Sequence, residues 1–388
     1  SPPFPALPDR TRFVMTATPT KVRVILYGVG ALGALLLDCL ATGYPLIEVA
    51  GAVDVDPAKA GRRLGDVHPG TPAAAREIVV APTLAACLAG LTEPARLLFH
   101  MTESVLAHVE GQMTEALDAG LNVLSASEAM FHPALRYPDV AARLDAAARR
   151  HGVSISGTGI NPGFSFDSLP LLLARVTSGV RAIRISRTID VTGTGPGDID
   201  HVGYGLWPDE FDRKIAEGRV VGHMGGPESI ACLAERLGMD IDRVAERWST
   251  STAAFPVDSG SAALGMIEPG RVIGITQEMA GMRGGETVIS LRLVMYYRPE
   301  LHGLRIADDI EIEGAHHVRA SLVPAALSLF GAANMIVNAA HDVVGAPPGL
   351  VNMLDLTIAG TRRGGFRYEV DPAVPPHPGE VRLVRRPV

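Results

Sequence analysis

Gly28, Gly30 and Gly33 form a G-x-G-x-x-G directly after the β-branched run 21–27 and at the mouth of a helical pattern over 31–42. That context makes the spacing informative. The first glycine permits a tight turn, the second lets backbone approach a pyrophosphate, and the third lets helix and strand pack closely. The helix start adds unpaired N–H groups and partial positive charge for phosphate oxygens. Asp54 ends the next strand, 21 residues beyond Gly33, where a carboxylate can accept hydrogen bonds from ribose hydroxyls. The chemistry implied is binding of a nicotinamide dinucleotide, NAD(P). Lys59, Arg62 and Arg63 follow. Arg62 is a candidate for a 2′-phosphate, so NAD and NADP both stay open.

In an open parallel sheet, ligands bind beyond the carboxyl ends of the strands. Three segments fall there: His100-Met-Thr102-Glu103, Ser125-Ala-Ser-Glu128, and Gly157-Thr-Gly-Ile-Asn161-Pro162-Gly-Phe164. Thr102 is a candidate cofactor contact. Glu103 and Glu128 are candidate general bases, a task that burial suits by raising a carboxyl pKa. Each also has a structural alternative. Ser125-x-x-Glu128 matches a capping box, and Glu103 suits the first turn of a helix. The chain lacks Tyr-x-x-x-Lys, H-E-x-x-H and any Cys/His cluster at metal spacing, so no metal is expected.

The elements that must position these residues alternate in type. Strands are expected at 21–27, 47–54, 77–80, 95–102, 121–126 and 153–157, with helices between most of them, including 104–119 and 138–151. Short apolar strands alternating with helices imply a parallel sheet covered on both faces. Beyond 160 the pattern changes: a helix at 167–176, a period-two strand at 180–190, a Gly-rich loop at 193–205, and helices at 208–218, 227–237 and 241–248. Long alternating strands at 271–297 and 305–320 suit a mostly antiparallel sheet. The fold class is therefore α/β: a Rossmann parallel sheet with a second α+β domain. The domains expected are a flexible extension at 1–20, with Met15 a candidate start; a dinucleotide-binding domain at 21–160; a substrate and dimerisation domain at 161–325; and a C-terminal helix (324–344) and tail, 326–388, returning to the first domain. The tail from 372 is expected to wrap the surface.

Of the 388 residues, 47% are hydrophobic and 20% charged, at a net charge of -7; this is a globular composition without the basic clusters a nucleic-acid surface needs. No segment is apolar and long enough to span a bilayer. Cys39, Cys87 and Cys232 are few, odd in number and widely spaced, which fits free thiols in a reducing cytoplasm.

Several stretches resemble the 2,4-diaminopentanoate dehydrogenases and the related native amine dehydrogenases, which share a domain plan with dihydrodipicolinate reductase. They are KVRVILYGVGALG, GAVDVDPAKAGRRLGD, NVLSASEAMFHP, GTGINPGFSFDSLP, GHMGGPESI and APPGLVNMLDL, in that order. Segment 188–222 carries little of the resemblance. The resemblance implies a homodimer and reversible NAD(P)-dependent conversion of an amine to a ketone or aldehyde plus ammonia. It puts the catalytic glutamate at Glu128, Asn161 and Pro162 in the turn beside the nicotinamide, and Phe164 in the pocket wall; Glu103 is a further substrate-side candidate. Arg184 and Arg187 lie in a strand and are expected on the surface or in salt bridges. Lacking a paired basic motif for a carboxylate, the chain is expected to take simple amines. Alternatives are a diamino acid substrate, a dihydrodipicolinate reductase-like imine reductase, and a non-catalytic dinucleotide sensor.

Overall fold

The computed structural model describes residues 21–356 and the backbone strands at 366–370 and 383–387. The expectations for 1–20 and most of the tail lie outside the described residues.

The N-terminal half forms β1 (Val22–Tyr27), α1 (Ala31–Ala41), β2 (Ile47–Val53), α2 (Leu64–Val67), β3 (Val80–Ala81), α3 (Leu84–Ala89), β4 (Leu97–His100), α4 (Leu106–Asp118), β5 (Asn122–Ser125), α5 (Pro138–His151) and β6 (Ser154–Gly157). The strands are short and almost wholly buried because both sheet faces are covered. α5 starts with Pro138 in its first turn, keeps Arg149, Arg150 and His151 in its last, and ends on Gly152 in the left-handed conformation, each suited to a helix end.

The second half begins with α6 (Ser168–Ala174), β7 (Ala182–Asp190), α7 (Pro196–Val202), α8 (Pro208–Ala216), α9 (Gly226–Leu237) and β8 (Arg243–Thr252). β9 (Val257–Asp258), β10 (Met266–Ile267), β11 (Val272–Arg283), β12 (Glu286–Tyr296), β13 (Ala307–Glu313) and β14 (Val318–Leu322) follow. α10 (Ser328–Val344), β15 (Gly349–Leu350), β16 (Phe366–Val370) and β17 (Leu383–Pro387) complete the chain's described elements.

The first sheet is parallel, in the order β15-β6-β5-β4-β1-β2-β3. Strand order reverses between β1 and β4, so a crevice opens at their carboxyl ends. The second sheet has the order β14-β13-β7-β12-β11-β8. Its pairs are antiparallel except β7 with β12. α10 leaves the second half and buries Ala333, Ile336, Val337, Ala340 and Val343 in the core of the first sheet. Burying each larger aliphatic side chain contributes about 1.5–3 kcal/mol, enough to hold the two halves together. β15 then adds the seventh strand beside β6.

Two expectations are corrected. Residues 241–248 are not a helix: β8 pairs with β11 from Arg243↔Met282 to Thr252↔Val272. Its first residues are good helix formers, but Trp248 and the Ser/Thr run after it favour a strand, and a ready edge on β11 decides the outcome. The Gly-rich loop 193–205 contains α7, started by Pro196 and ended by Gly203 at φ 85°. No helix among the described residues is long and apolar enough to cross a membrane.

Candidate active site

β5 ends at Ser125, and a 3-10 turn, Glu128–Phe131, follows. Ser125 does not form a capping box: its Oγ bonds His100 and accepts the Ser127 N–H, and Ser127 precedes the turn without a side-chain cap. Glu128 is thereby released from the structural role its spacing suggested. The turn sits directly on the end of β6, where a Cβ on Gly157 would lie 2.4 Å from the Met130 carbonyl carbon.

The chain leaves β6 and makes a cis Asn161–Pro162 bond. Asp167, wholly buried, ties this turn to α9: one carboxyl oxygen accepts from Gly163 N–H (2.9 Å) and Ser229 Oγ (2.8 Å), the other from Ser168 N–H (2.6 Å). Burial raises its pKa in spite of these bonds.

Residues 222–225 bring the third component. His223 Nε2 lies 3.1 Å from Glu128 Oε1 and 2.7 Å from Asn161 Nδ2, while Nδ1 lies 2.6 Å from the Met224 carbonyl oxygen. Burial, outweighing the Met224 bond and aided by the charges of Arg187 and His201, pushes His223 down to about 4. Its backbone is clamped from β11: Gln277 accepts the His223 N–H at 3.1 Å and donates to the His223 carbonyl at 2.8 Å. Gln277 also donates to Glu246. Gly225, at φ 91°, lets the loop pass Pro162; a Cβ there would lie 2.3 Å from Pro162 Cδ and 3.5 Å from Glu128 Cβ.

Behind the loop, Arg187 and Asp308 face each other across β7 and β13. Both are fully buried, with Nη1 2.6 and 2.8 Å from the two carboxyl oxygens. Arg187 Nη2 donates to the Ala326 carbonyl at 2.6 Å, which ties the start of α10 to the second sheet. Arg184, on the opposite face of β7, is exposed and pairs with Glu313.

At the other end of the crevice, Gly28 has φ 103°, and a Cβ would stand 2.5 Å from the Met101 carbonyl oxygen. A Cβ on Gly33 would stand 2.4 Å from the Gly28 carbonyl oxygen, whereas Gly30, at the exposed start of α1, has open space around it. Asp54 accepts from Val29 N–H (2.9 Å), Asp56 N–H (2.9 Å) and Lys59 Nζ (3.1 Å). Burial works to raise its carboxyl, but these donors outweigh it and hold the pKa below the ordinary value.

The fold thus brings Glu128, Asn161 and Pro162 together, with Phe164 half-buried on the same turn, and joins Asp54 to the glycine loop. Thr102 stands beside that loop, with Cγ2 3.3 Å from a Cβ built on Gly28, and bonds His100 and Gln112. Arg62 is exposed and turned to the Ala58 and Asp66 carbonyls. Glu103 is exposed and pairs with His108 at 2.6 Å, before the start of α4. Sequence reasoning assigned nothing to His223 or Gln277. A histidine among the glycines of Gly222-His-Met-Gly-Gly226, just before a helix, was an available signal; Gln277 offered none.

A parallel sheet of this strand order, with the glycine loop and Asp54 at its switch point, defines a Rossmann-type dehydrogenase. The family model described as the 2,4-diaminopentanoate dehydrogenase C-terminal domain matches residues 164–371, more than half of the chain. The chain belongs to that family. It is 29% identical over 350 residues to the 2,4-diaminopentanoate dehydrogenase of Acetoanaerobium sticklandii, covering 89% of this chain and 96% of the relative. It is 22% identical over 356 residues to an amine dehydrogenase of Streptomyces virginiae, covering 87% and 96%. In fold it matches the amine dehydrogenase of Mycobacterium smegmatis with a TM-score of 0.77 at 23% identity, covering 89% of this chain and 98% of that one.

Proposed function

We propose that this dehydrogenase interconverts a small amine with a ketone or aldehyde plus ammonia, using NAD in preference to NADP. The observation that carries the reading is the half-buried Glu128 carboxyl held against the Asn161-Pro162 turn at the carboxyl end of the parallel sheet.

The residues present fit a dinucleotide. Open space at Gly30 and the free N–H groups at the start of α1 suit a pyrophosphate, and Asp54 suits ribose hydroxyls. Lys59 pairs with Asp54 and Asp56, Arg62 turns to carbonyls and Arg63 pairs with Glu77. A 2′-phosphate would meet carboxylates whose cations are already engaged, which favours NAD. In this reading Thr102, Asn161 and Pro162 border the nicotinamide. When bound, the cofactor supplies the two-electron exchange.

Glu128 moves the protons. In deamination its carboxylate takes one from the substrate ammonium and releases it to solvent, then takes one from the water that adds to the iminium carbon and passes it to the departing amine nitrogen. Asn161 orients the turn beside it, and Phe164 lines the pocket. Arg187 is committed to Asp308, so its charge does not await a substrate carboxylate; this favours simple amines over amino acids. The reading includes a homodimer, and a cytoplasmic setting in keeping with three buried cysteines that form no disulfide.

The test is NAD(P)H oxidation with a panel of small aldehydes and ketones, with and without ammonium. Ammonium-dependent oxidation that Glu128→Gln abolishes, with cofactor binding retained, is expected. Turnover without ammonium, or an undiminished Glu128→Gln enzyme, contradicts the assignment.

A further inference from the structure

His223 and Glu128 meet at a place where the hydrogen atoms can be counted. The Met224 carbonyl oxygen can only accept, so His223 Nδ1, 2.6 Å away, carries the ring proton. In a neutral imidazole that leaves Nε2 with a lone pair and no hydrogen. Asn161 Nδ2, 2.7 Å from Nε2, donates to it. Glu128 Oε1 stands 3.1 Å from the same nitrogen. An ionised carboxylate there would set its lone pairs against the nitrogen lone pair, which is repulsive at hydrogen-bonding distance. One additional proton between the two atoms removes the conflict.

We infer that Glu128 and His223 hold one proton between Oε1 and Nε2, that it rests on Glu128 in the ligand-free enzyme, and that His223 is the positioning residue which keeps Glu128 in its acid form at neutral pH. The inference deepens the reading of Glu128 as the proton-transfer group and rests on it.

Asn161 decides where the proton rests: its amide nitrogen can only donate, so a hydrogen on His223 Nε2 would face a donor at 2.7 Å, whereas one on Glu128 Oε1 would not. In keeping with this, Arg187 on β7 and His201 on α7 both oppose a positive charge on the ring. Asp308 offsets Arg187, accepting from its Nη1 with both carboxyl oxygens. Glu246 on β8 reaches Gln277, which holds the His223 backbone, and Asp167 is turned to Gly163 and Ser229. Glu128 is therefore the carboxyl in direct contact with the ring, and the imidazole stays neutral.

The consequence is directional. Addition of ammonia to the carbonyl compound gives a carbinolamine. Glu128 Oε1–H gives its proton to the carbinolamine hydroxyl, the C–O bond breaks with its electron pair, water leaves and an iminium ion remains. Glu128 is then a carboxylate, and its charge is balanced by that of the iminium. An acid-poised Glu128 thus starts reductive amination at neutral pH, whereas deamination needs alkaline pH to empty the same oxygen.

The experiment uses the whole protein in two arms. In the ligand-free arm, infrared difference spectra of wild type minus Glu128→Gln at neutral pH should show one protonated-carboxyl band. 15N NMR of histidine-labelled protein should show His223, assigned by its loss in His223→Gln, as a neutral ring protonated at Nδ1. An ionised Glu128, or a His223 imidazolium, overturns the inference whatever the substrate proves to be. In the kinetic arm, His223→Phe removes the acceptor, so the Glu128 titration in the pH profile of kcat/KM for reductive amination should move down by a unit or more. The rate above that titration then falls about tenfold for each unit. His223→Gln, whose side-chain oxygen replaces the acceptor, should restore most of the shift. A loss of rate with no movement of the profile marks His223 as merely structural. Loss of the amination activity itself in the wild type would instead count against the function proposed above, leaving the spectroscopic arm to judge the proton.

Discussion

Gly225→Ala tests whether the loop carrying His223 must fit against the Asn161-Pro162 turn. Gly225 has φ 91°, and its added Cβ would lie 2.3 Å from Pro162 Cδ and 2.9 Å from Pro162 Cγ. Carbon atoms in contact want about 3.5–4.0 Å, so the loop must retreat by about 1 Å or more. The left-handed backbone costs an alanine about 1–2 kcal/mol in addition. Pro162 is buried and gives little, so the displacement falls on the loop, and the 3.1 Å contact between His223 and Glu128 opens. Misplacement of catalytic groups by about 1 Å can lower turnover about 100-fold. The assay is kcat for ammonium-dependent NADH oxidation, beside cofactor affinity from fluorescence and a thermal melt. We expect kcat to fall about 100-fold with cofactor affinity unchanged, because the glycine loop lies at the other end of the crevice. A variant with wild-type kcat, even one less stable, would refute the claim that this fit positions the site.

Two other outcomes are expected. Arg187→Met leaves Asp308 buried without its cation and should cost roughly 3–5 kcal/mol in a denaturant melt, whereas Arg187→Met with Asp308→Leu should recover much of that loss; equal losses in the two proteins would show that the ion pair is not the cause. Asp54→Asn should weaken NAD binding about tenfold, as loss of one hydrogen bond to a charged group does, with a smaller effect on NADP; equal loss of both would mean that Asp54 serves only to hold Val29 and Lys59.

The fold of the first half was legible because its signals are local. Three glycines, an apolar strand before them and a carboxylate one strand later are set by turn geometry and helix start, which need no distant partner. The parallel sheet could likewise be read from strand-helix alternation. β8 could not, since its first residues suit a helix and only pairing along β11 makes it a strand. Arg187 illustrates the same limit. Its place in β7 was visible, and its spacing from Arg184 puts the two on opposite faces, but that Asp308 stands directly across from it depends on the register with β13.

By itself, the sequence determined where the glycine loop falls in the sheet and which carboxylates stand at the strand ends. Spacing alone could not separate Glu103 from Glu128, because both follow a strand and both suit a helix start; only the family resemblance pointed to Glu128. Tertiary structure gave the two different surroundings. It turned Glu103 out to His108, and it set Glu128 beneath a loop from the other half of the chain, which brings His223 and is pinned by Gln277. The physical reason is that a carboxylate's chemistry depends on burial and on its nearest donors and acceptors, and those come from residues far apart along the chain.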